Sequence, residues 1–317
     1  MNPAGVAVPV GRRVEVKVPA TTANLGPGFD TLGLALSRYD ELTVTATAGT
    51  EITVEVHGVG EGEVPTDARN LVARSLVHTL ERFGVPAPGL HIVAHNSIPH
   101  GRGMGSSGAA IVAGIMAAKG LMEGLVELSA DDLLAVATEL EGHPDNVAPA
   151  LFGGLTIAWT TESGPQHKKL MVHRGVSPLV CVPDTTMSTE LARSLRPESV
   201  PHEDAIFNVS RSALLIAALI QSPELLMAAT EDRLHQTYRA SAMPASTSLI
   251  ERLRAEGHAA VVSGAGPSIL VLCSDPAERM RAAELVEADR AATWTTLLLA
   301  VDFKGATVIV HPTEVSA

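Results

Sequence analysis

Residues 98–110 read IPHGRGMGSSGAA, a stretch with no side chain larger than Met after Arg102 that leads directly into an apolar run. Successive glycines let backbone N–H groups approach an anion closely, and a helix that follows adds the positive end of its dipole. The hydroxyls of Ser106 and Ser107 could serve a phosphate oxygen and a magnesium ion, which prefers oxygen ligands. An isolated run of this kind is more often a tight turn with a serine cap. The stretch is therefore a candidate phosphate-binding loop that needs partners elsewhere.

Three well-known glycine loops do not account for this stretch. Gly103, Gly105 and Gly108 match GxGxxG, but a dinucleotide-binding loop opens the first βαβ unit, and here several strands are predicted before it. A Walker loop requires a Gly-Lys pair, which the chain lacks. A protein-kinase loop joins two strands, whereas the residues after Ser107 predict a helix and the other kinase signatures are absent.

A second set of polar residues lies at 139–146, ELEGHPDN. Glu139 and Glu141 end a predicted helix, and Asp145 and Asn146 follow it. The carboxylates offer oxygen ligands for a metal, and the Asn146 amide beside them could bind a hydroxyl. The alternative is a solvated helix end followed by a turn, which would have the same sequence pattern.

Two further loops lie at the ends of predicted strands. Asn24 and Asp30 flank Gly26-Pro27-Gly28 directly after the first strand, where an ordinary capped turn is the alternative. Residues 261–268, VVSGAGPS, indicate either a hairpin or a backbone that lies close to something bulky.

Periodicity predicts the elements that must position these loops. Strands are predicted at 13–18, 41–48, 51–57, 90–95 and 155–160, and helices from Thr66 or Asp67 to Gly84, at 109–122, and from a Ser129 cap to about 141. In the second half, helices are predicted near 188–196, 203–221, 224–234, 244–256 and 276–288, and strands at AAVVS, SILVLC, LLLAV and ATVIV. The polar segment 161–169 reads as an exposed connection, so we expect a domain of residues 1–162 and a second of residues 163–317.

The net charge, the cysteines and the apolar segments of the chain limit the classes of protein to which it can belong. The 317 residues carry a net charge of -12, which opposes non-specific binding to nucleic acid or anionic membranes. Cys181 and Cys273 form no metal or disulfide pattern. Neither a signal peptide nor a membrane span is recognisable, and a cytoplasmic location is predicted.

Taken together, PATTANLGPGFDTLGLAL, the glycine loop, EGHPDNVAPALFGG and VVSGAGPS occur in the order typical of the GHMP family of small-molecule kinases, which they resemble over nearly the whole chain. The likeness is greatest to the branch that phosphorylates L-homoserine, on account also of FNVSRSALLIAAL and LHQTYRA. The resemblance implies an α+β fold of two domains. Each domain would be a mostly antiparallel sheet packed with helices, and the active site would lie in the cleft between them.

The resemblance also implies a reaction and its residues. ATP would phosphorylate L-homoserine to O-phospho-L-homoserine in threonine biosynthesis, and the enzyme would be a possible homodimer. Asn70 would contact adenine, and Ser107 and Glu139 would hold Mg²⁺. The ATP loop would comprise Pro99, His100, Gly101, Arg102, Gly103, Met104, Gly105, Ser106, Ser107, Gly108 and Ala109. The substrate would meet Asn24, Asp30, Asn146, Arg193 and Arg239, and the catalytic set would be Asn146, Asp30, Ser107 and Glu139.

One departure from the family bears on mechanism. Asn146 stands where mevalonate-kinase-like members have an Asp, and an amide cannot act as a general base. His143 is the one nearby group that could accept a proton near neutral pH, but we expect it to serve the HPDN turn, and the reaction to depend on positioning and charge neutralisation. The alternatives are a GHMP kinase for another alcohol such as mevalonate, a non-catalytic nucleotide-binding relative, and a dinucleotide-dependent oxidoreductase.

Overall fold

The computed structural model describes residues 7–312, so the outermost ends of both predicted domains lie outside the described residues. The strands are β1 (Arg13–Ala23), β2 (Leu32–Thr47), β3 (Ile52–Gly58), β4 (Gly89–Asn96), β5 (Leu155–Thr161), β6 (Gly164–Leu170), β7 (Ser177–Pro183), β8 (Ala259–Val262), β9 (Ile269–Cys273), β10 (Trp294–Leu298) and β11 (Thr307–His311). The helices are α1 (Leu71–Arg82), α2 (Ser106–Leu121), α3 (Ala130–Glu141), α4 (Pro144–Phe152), α5 (Thr189–Ser194), α6 (His202–Ile220), α7 (Leu226–Ala229), α8 (Gln236–Arg239), α9 (Pro244–Ala255) and α10 (Pro276–Glu287).

Two sheets organise the described residues. The larger has seven strands in the order β11-β1-β2-β4-β3, with β5 paired to β2 and β6 to β5, and the smaller runs β10-β7-β9-β8. All pairs are antiparallel except β3 with β4. Parallel neighbours need a crossover connection, and α1 supplies it.

Helix α2 is the central element of the larger half. Its sequence, SSGAAIVAGIMAAKGL, is apolar on every side, and twelve of its sixteen residues are buried. Packing against β1, α1, α3 and α4 covers it from several directions at once. Burial of this kind fixes the start of α2, and with it the glycine loop, relative to the sheet.

The predicted domain boundary falls inside a hairpin. Residues 161–169 are polar and read as a connection, but β6 pairs with β5 along its whole length, and the turn lies between Thr161 and Gly164. The last strand, β11, also returns to the first sheet beside β1. Strand β6 lies at the edge of the sheet and carries polar residues on both faces. It therefore lacks the alternation of apolar and polar residues by which a strand is recognised from sequence.

Three local predictions also need correction. The cap of α1 is Asn70 rather than Thr66 or Asp67, because the Asn70 side chain accepts a hydrogen bond from the Val72 amide. Neither β7 nor α4 was predicted. Prolines at 144 and 149 made the α4 segment look broken, yet a proline at the first helical position lacks only an N–H that would have no helical partner anyway.

Candidate active site

The glycine loop, the loop after β1, the start of α4 and the α5 region enclose a cleft between the two sheets. The predicted residues that line it are Asn24, Asp30, Gly101, Arg102, Gly103, Gly105, Ser106, Ser107, Asn146, Arg193 and Arg239. An adjoining hollow shares Ser106 and Ser107 and is lined also by Asn70, His100 and Ala109. Pro99, Met104, Gly108 and Glu139 line neither space.

At two positions of the loop only glycine fits, because other segments of the chain lie too close to the loop backbone to leave room for a Cβ atom. Gly103 and Gly105 both have positive φ, +72° and +69°, a conformation that costs other residues free energy. A Cβ on Gly103 would collide with the Ser263 carbonyl oxygen, and one on Gly105 with the Thr21 hydroxyl. Both sequence-based interpretations of segment 261–268 hold, because it is the hairpin connection between the antiparallel strands β8 and β9 and its backbone also lies against the glycine loop.

The second half of the chain holds the loop in place. Ser263 Oγ donates to the Gly103 carbonyl at 2.6 Å, and the Met187 amide donates to the Gly101 carbonyl at 2.9 Å. Arg102 donates from Nε to the Pro183 carbonyl and from Nη2 to the Asp184 carbonyl, both at 2.9 Å. The loop therefore has fixed partners on both sides of the cleft.

The N-terminus of α2 opens at the junction of the two spaces. Gly105, its N-cap, has no side chain to accept a hydrogen bond from the first turn. Backbone amides at a helix start lack intrahelical partners, and a sixteen-residue helix adds its dipole there. The arrangement suits a phosphate group, as the sequence predicts.

The carboxylate that meets Ser107 is Glu141, and the predicted Glu139 lies elsewhere. Ser107 Oγ donates to Glu141 Oε2 at 2.9 Å, whereas the Glu139 carboxylate lies 3.3 Å from His78 Nε2 and 3.7 Å from Arg82 Nε. Positions two apart in a helix point about 200° from each other, so only one of the two glutamates can face α2. Burial raises the pKa of Glu141, and its hydrogen bond from Ser107 opposes this only in part.

Asn24 and Asp30 form the opposite wall. Both adopt positive φ, +71° and +51°, a conformation that costs about 1–3 kcal/mol and concentrates at functional sites. Asn24 Nδ2 donates to the Gly264 carbonyl at 2.7 Å, and its Oδ1 accepts from the Asp30 amide at 3.0 Å. The Asp30 carboxylate pairs with Arg193 at 3.2 Å and with Arg196 at 3.4 Å. No motif in the sequence pointed to Arg196.

Arg239 is a buried cation without a carboxylate partner. Only 2% of the residue is exposed, and its acceptors include the Ala192 carbonyl at 3.1 Å and the Gly264 carbonyl at 3.4 Å. Within the described range 7–312, no carboxylate lies within 4 Å of its guanidinium. Burial lowers the pKa of Arg239. A buried guanidinium that borders a cleft has the charge and the donors that suit a carboxylate or a phosphate.

Asn146 lies between Thr21 and the glycine loop. Thr21 Oγ1 donates to Asn146 Oδ1 at 3.0 Å, an assignment that leaves the amide NH₂ for the cleft.

His143 also lines the cleft, and its Nδ1 lies 2.5 Å from Oδ1 of the buried Asp145. Burial lowers the pKa of His143, but the hydrogen bond to Asp145 and the negative charges of Asp145 and Glu141 together outweigh it, and the pKa is raised overall. Within residues 7–312, no helix is long and apolar enough to cross a membrane.

Comparison with known proteins identifies the family of the chain. The model for "GHMP kinases N terminal domain" matches residues 70–154, and that for "GHMP kinases C terminal" matches residues 214–288. A homoserine kinase of Leifsonia xyli subsp. xyli is 72% identical over 94% of this chain and 92% of its own. The chain belongs to the GHMP kinases. A homoserine kinase of Streptomyces coelicolor is 48% identical over 93% of this chain and 94% of its own.

A solved structure extends the agreement to the fold. The crystal structure of homoserine kinase from Cytophaga hutchinsonii superposes with a TM-score of 0.84 at 26% identity, covering 94% of this chain and 97% of that one. The predicted family, the two-sheet α+β fold class and the small-molecule kinase class of enzyme are therefore confirmed. The dinucleotide-dependent oxidoreductase is no longer an alternative.

Proposed function

We propose that this kinase transfers the γ-phosphoryl group of ATP to the side-chain hydroxyl of L-homoserine and so forms O-phospho-L-homoserine, a step of threonine biosynthesis. The relatives that match at 72% and 48% identity carry the name homoserine kinase. The observation that carries the proposal in this chain is Arg239, a buried cation without a carboxylate partner among residues 7–312, on a wall of the same cleft as the helix that would bind phosphate.

The nucleotide would occupy the hollow beside α2. Asn70 lines that hollow together with apolar side chains such as Leu42 and Val56, which suits a purine, and Ser106 and Ser107 line both the hollow and the cleft. The amides of residues 103–108 would bind the phosphates, with the N-terminus of α2 behind them. Gly108 has no side chain and the side chain of Met104 is fully buried, so these two residues could contribute only their backbone amides.

Magnesium would lie between Ser107 and Glu141. Mg²⁺ usually keeps several waters and takes one or two protein carboxylates together with phosphate oxygens. The Ser107–Glu141 pair provides a hydroxyl and a carboxylate at the mouth of the phosphate site. When bound, the metal would neutralise charge on the transferring phosphoryl group.

L-Homoserine would lie across the wall formed by Asn24, Asp30 and the arginines. Its carboxylate suits Arg239 and Arg193, and its ammonium suits Asp30, whose carboxylate already attracts two cations. The hydroxyl would accept a hydrogen bond from the Asn146 amide. That contact orients the attacking oxygen but cannot remove its proton.

We propose that the reaction proceeds without a general base. Phosphoryl transfer passes through a loose transition state that needs little nucleophilic assistance, so holding the hydroxyl in line and stabilising the phosphoryl charge can supply most of the acceleration. The loop amides, the N-terminus of α2 and the Ser107–Glu141 pair are placed to do this. We also propose a cytoplasmic homodimer, as the resemblance implies.

The decisive experiment is an ADP-release assay with Mg-ATP and L-homoserine, D-homoserine, L-serine or mevalonate. We expect turnover with L-homoserine, and a fall in kcat/KM of about a hundredfold or more in Asn24→Ala and Arg239→Ala, since each removes a contact to a charged or reacting group. Arg290→Ala, an exposed arginine that bonds only to backbone carbonyls, is the matched control. Turnover with mevalonate instead would overturn the substrate, and ATP binding without any turnover would favour a non-catalytic relative.

A further inference from the structure

We propose that His235 is the positioning residue for Arg239 and sets the distance between the groups that bind the carboxylate and the ammonium of the substrate. The inference rests on the proposed function and extends it to a residue outside the cleft wall. His235 is fully buried and precedes the short helix α8, four positions before Arg239. It lines neither the cleft nor the adjoining hollow, so any effect on the substrate passes through its neighbours.

Both ring nitrogens of His235 have protein partners. Nε2 lies 2.8 Å from the Gly26 carbonyl oxygen, and Nδ1 lies 3.4 Å from Arg239 Nη1. A carbonyl can only accept and a guanidinium can only donate. The ring is therefore neutral, with its hydrogen on Nε2 and its lone pair on Nδ1 facing Arg239.

The other groups around the ring agree with this form. The Asp232 carboxylate lies 3.7 Å from Nε2, on the side that carries the hydrogen, and it accepts the amides of His235 at 3.1 Å and Gln236 at 2.8 Å. A second ring hydrogen, on Nδ1, would point at the cationic Arg239. Burial lowers the pKa of His235, which opposes that second protonation.

The ring also connects Arg239 to the loop that carries Asn24 and Asp30. Phe29 stacks on His235 with ring centroids 4.7 Å apart, and the Arg239 guanidinium lies 5.1 Å from the Phe29 centroid. Gly26 and Phe29 both belong to this loop, so His235 contacts it at two points. An α-amino acid presents its ammonium and carboxylate at a fixed separation, and this stack holds the matching Asp30 and Arg239 at a fixed separation too.

The test is a double-mutant cycle with two substitutions at His235. His235→Gln can keep a donor near Nε2 for the Gly26 carbonyl, and His235→Asn can keep an acceptor near Nδ1 for Arg239. We expect His235→Gln to raise the KM for L-homoserine about tenfold or more and to leave the KM for ATP within about twofold. His235→Asn should show at most about a third of that rise. In an Arg239→Lys background, His235→Gln should add less than about twofold, because contacts that act through one another are not additive.

Some outcomes would overturn the inference. They are an equal rise in both KM values, an effect of His235→Gln that persists unchanged in the Arg239→Lys background, or no change in KM in either His235 variant. If His235→Gln does not fold, as judged by its thermal melting, the same cycle is run with His235→Leu, which also leaves Arg239 without its acceptor, and decides by the same criterion. The parent enzyme tests the function separately: if it phosphorylates another amino acid alcohol, the cycle is measured with that substrate.

Discussion

Ser107 in the first turn of α2 donates its hydroxyl hydrogen to Glu141 at the end of α3, across 2.9 Å and thirty-four residues of chain. This contact joins the helix that would bind phosphate to a carboxylate able to bind a cation. It also separates Glu141 from Glu139, which pairs with His78 and Arg82. The two glutamates should therefore respond differently to substitution.

Glu141→Gln should lower kcat by about a hundredfold or more and raise the magnesium concentration needed for half-maximal rate, because a charged ligand is lost where phosphoryl charge must be neutralised. Glu139→Gln is the matched control, two positions away in the same helix. It removes only exposed ion pairs, worth about 0–1 kcal/mol, and should keep the magnesium requirement of the parent. Magnesium titrations of both variants measure this. If Glu139→Gln alone changed the requirement, the sequence-based choice of ligand would be correct.

Gly105→Ala and Gly108→Ala should have opposite effects. At Gly105 a Cβ would strike the Thr21 hydroxyl in a backbone with φ of +69°, so we expect loss of stability and of ATP binding. At Gly108 a Cβ would lie 3.4 Å from Asn146 Cβ, an ordinary contact. Alanine there should stabilise α2 by up to about 1 kcal/mol. Urea unfolding and nucleotide binding test both, and equal destabilisation by the two substitutions would contradict the loop geometry.

His143→Gln should lower kcat by about ten- to a hundredfold. The substitution replaces the imidazole on the cleft wall by an amide and leaves Asp145 buried without its imidazole partner. General bases contribute about 10²–10⁴. A fall of about a thousandfold or more, with the melting temperature unchanged, would assign the proton acceptor to His143 and refute a reaction without a base. Pre-steady-state measurement of the chemical step separates this effect from product release.

Acid should destabilise the protein partly through His235. Because burial lowers its pKa in the folded state, the unfolded chain binds this proton more readily. The contribution of His235 to the free energy of unfolding is therefore fully present above the pKa of the unfolded state, near 6.5, and is lost as the pH falls below that value. We expect this contribution of His235 to decrease as the pH falls from 7 to 5.5. Urea unfolding of the parent and of His235→Gln at both pH values measures the difference, which should be absent if the ring titrates alike in both states.

The sequence by itself determined the segments and much of their chemistry. Residues 13–18 of β1 and strand β3 alternate between apolar and polar residues, and the Ser129 cap and Gly142 end of α3 follow local rules. Asn24, Asp30, Asn146, Arg193, Arg239 and much of the glycine loop line one cleft. These features are local, or are carried by motifs whose order along the chain resembles one family.

Only the tertiary structure decided which of two nearby carboxylates meets Ser107, because the choice depends on the rotation of α3 about its axis relative to α2. The same holds for β6, whose polar strand is recognisable only by its pairing with β5. It holds again for His235, which contacts Gly26, 209 residues away along the chain, and Arg239, four residues away. Contacts of this kind depend on how elements pack against each other, and residue spacing along the chain carries no record of that packing.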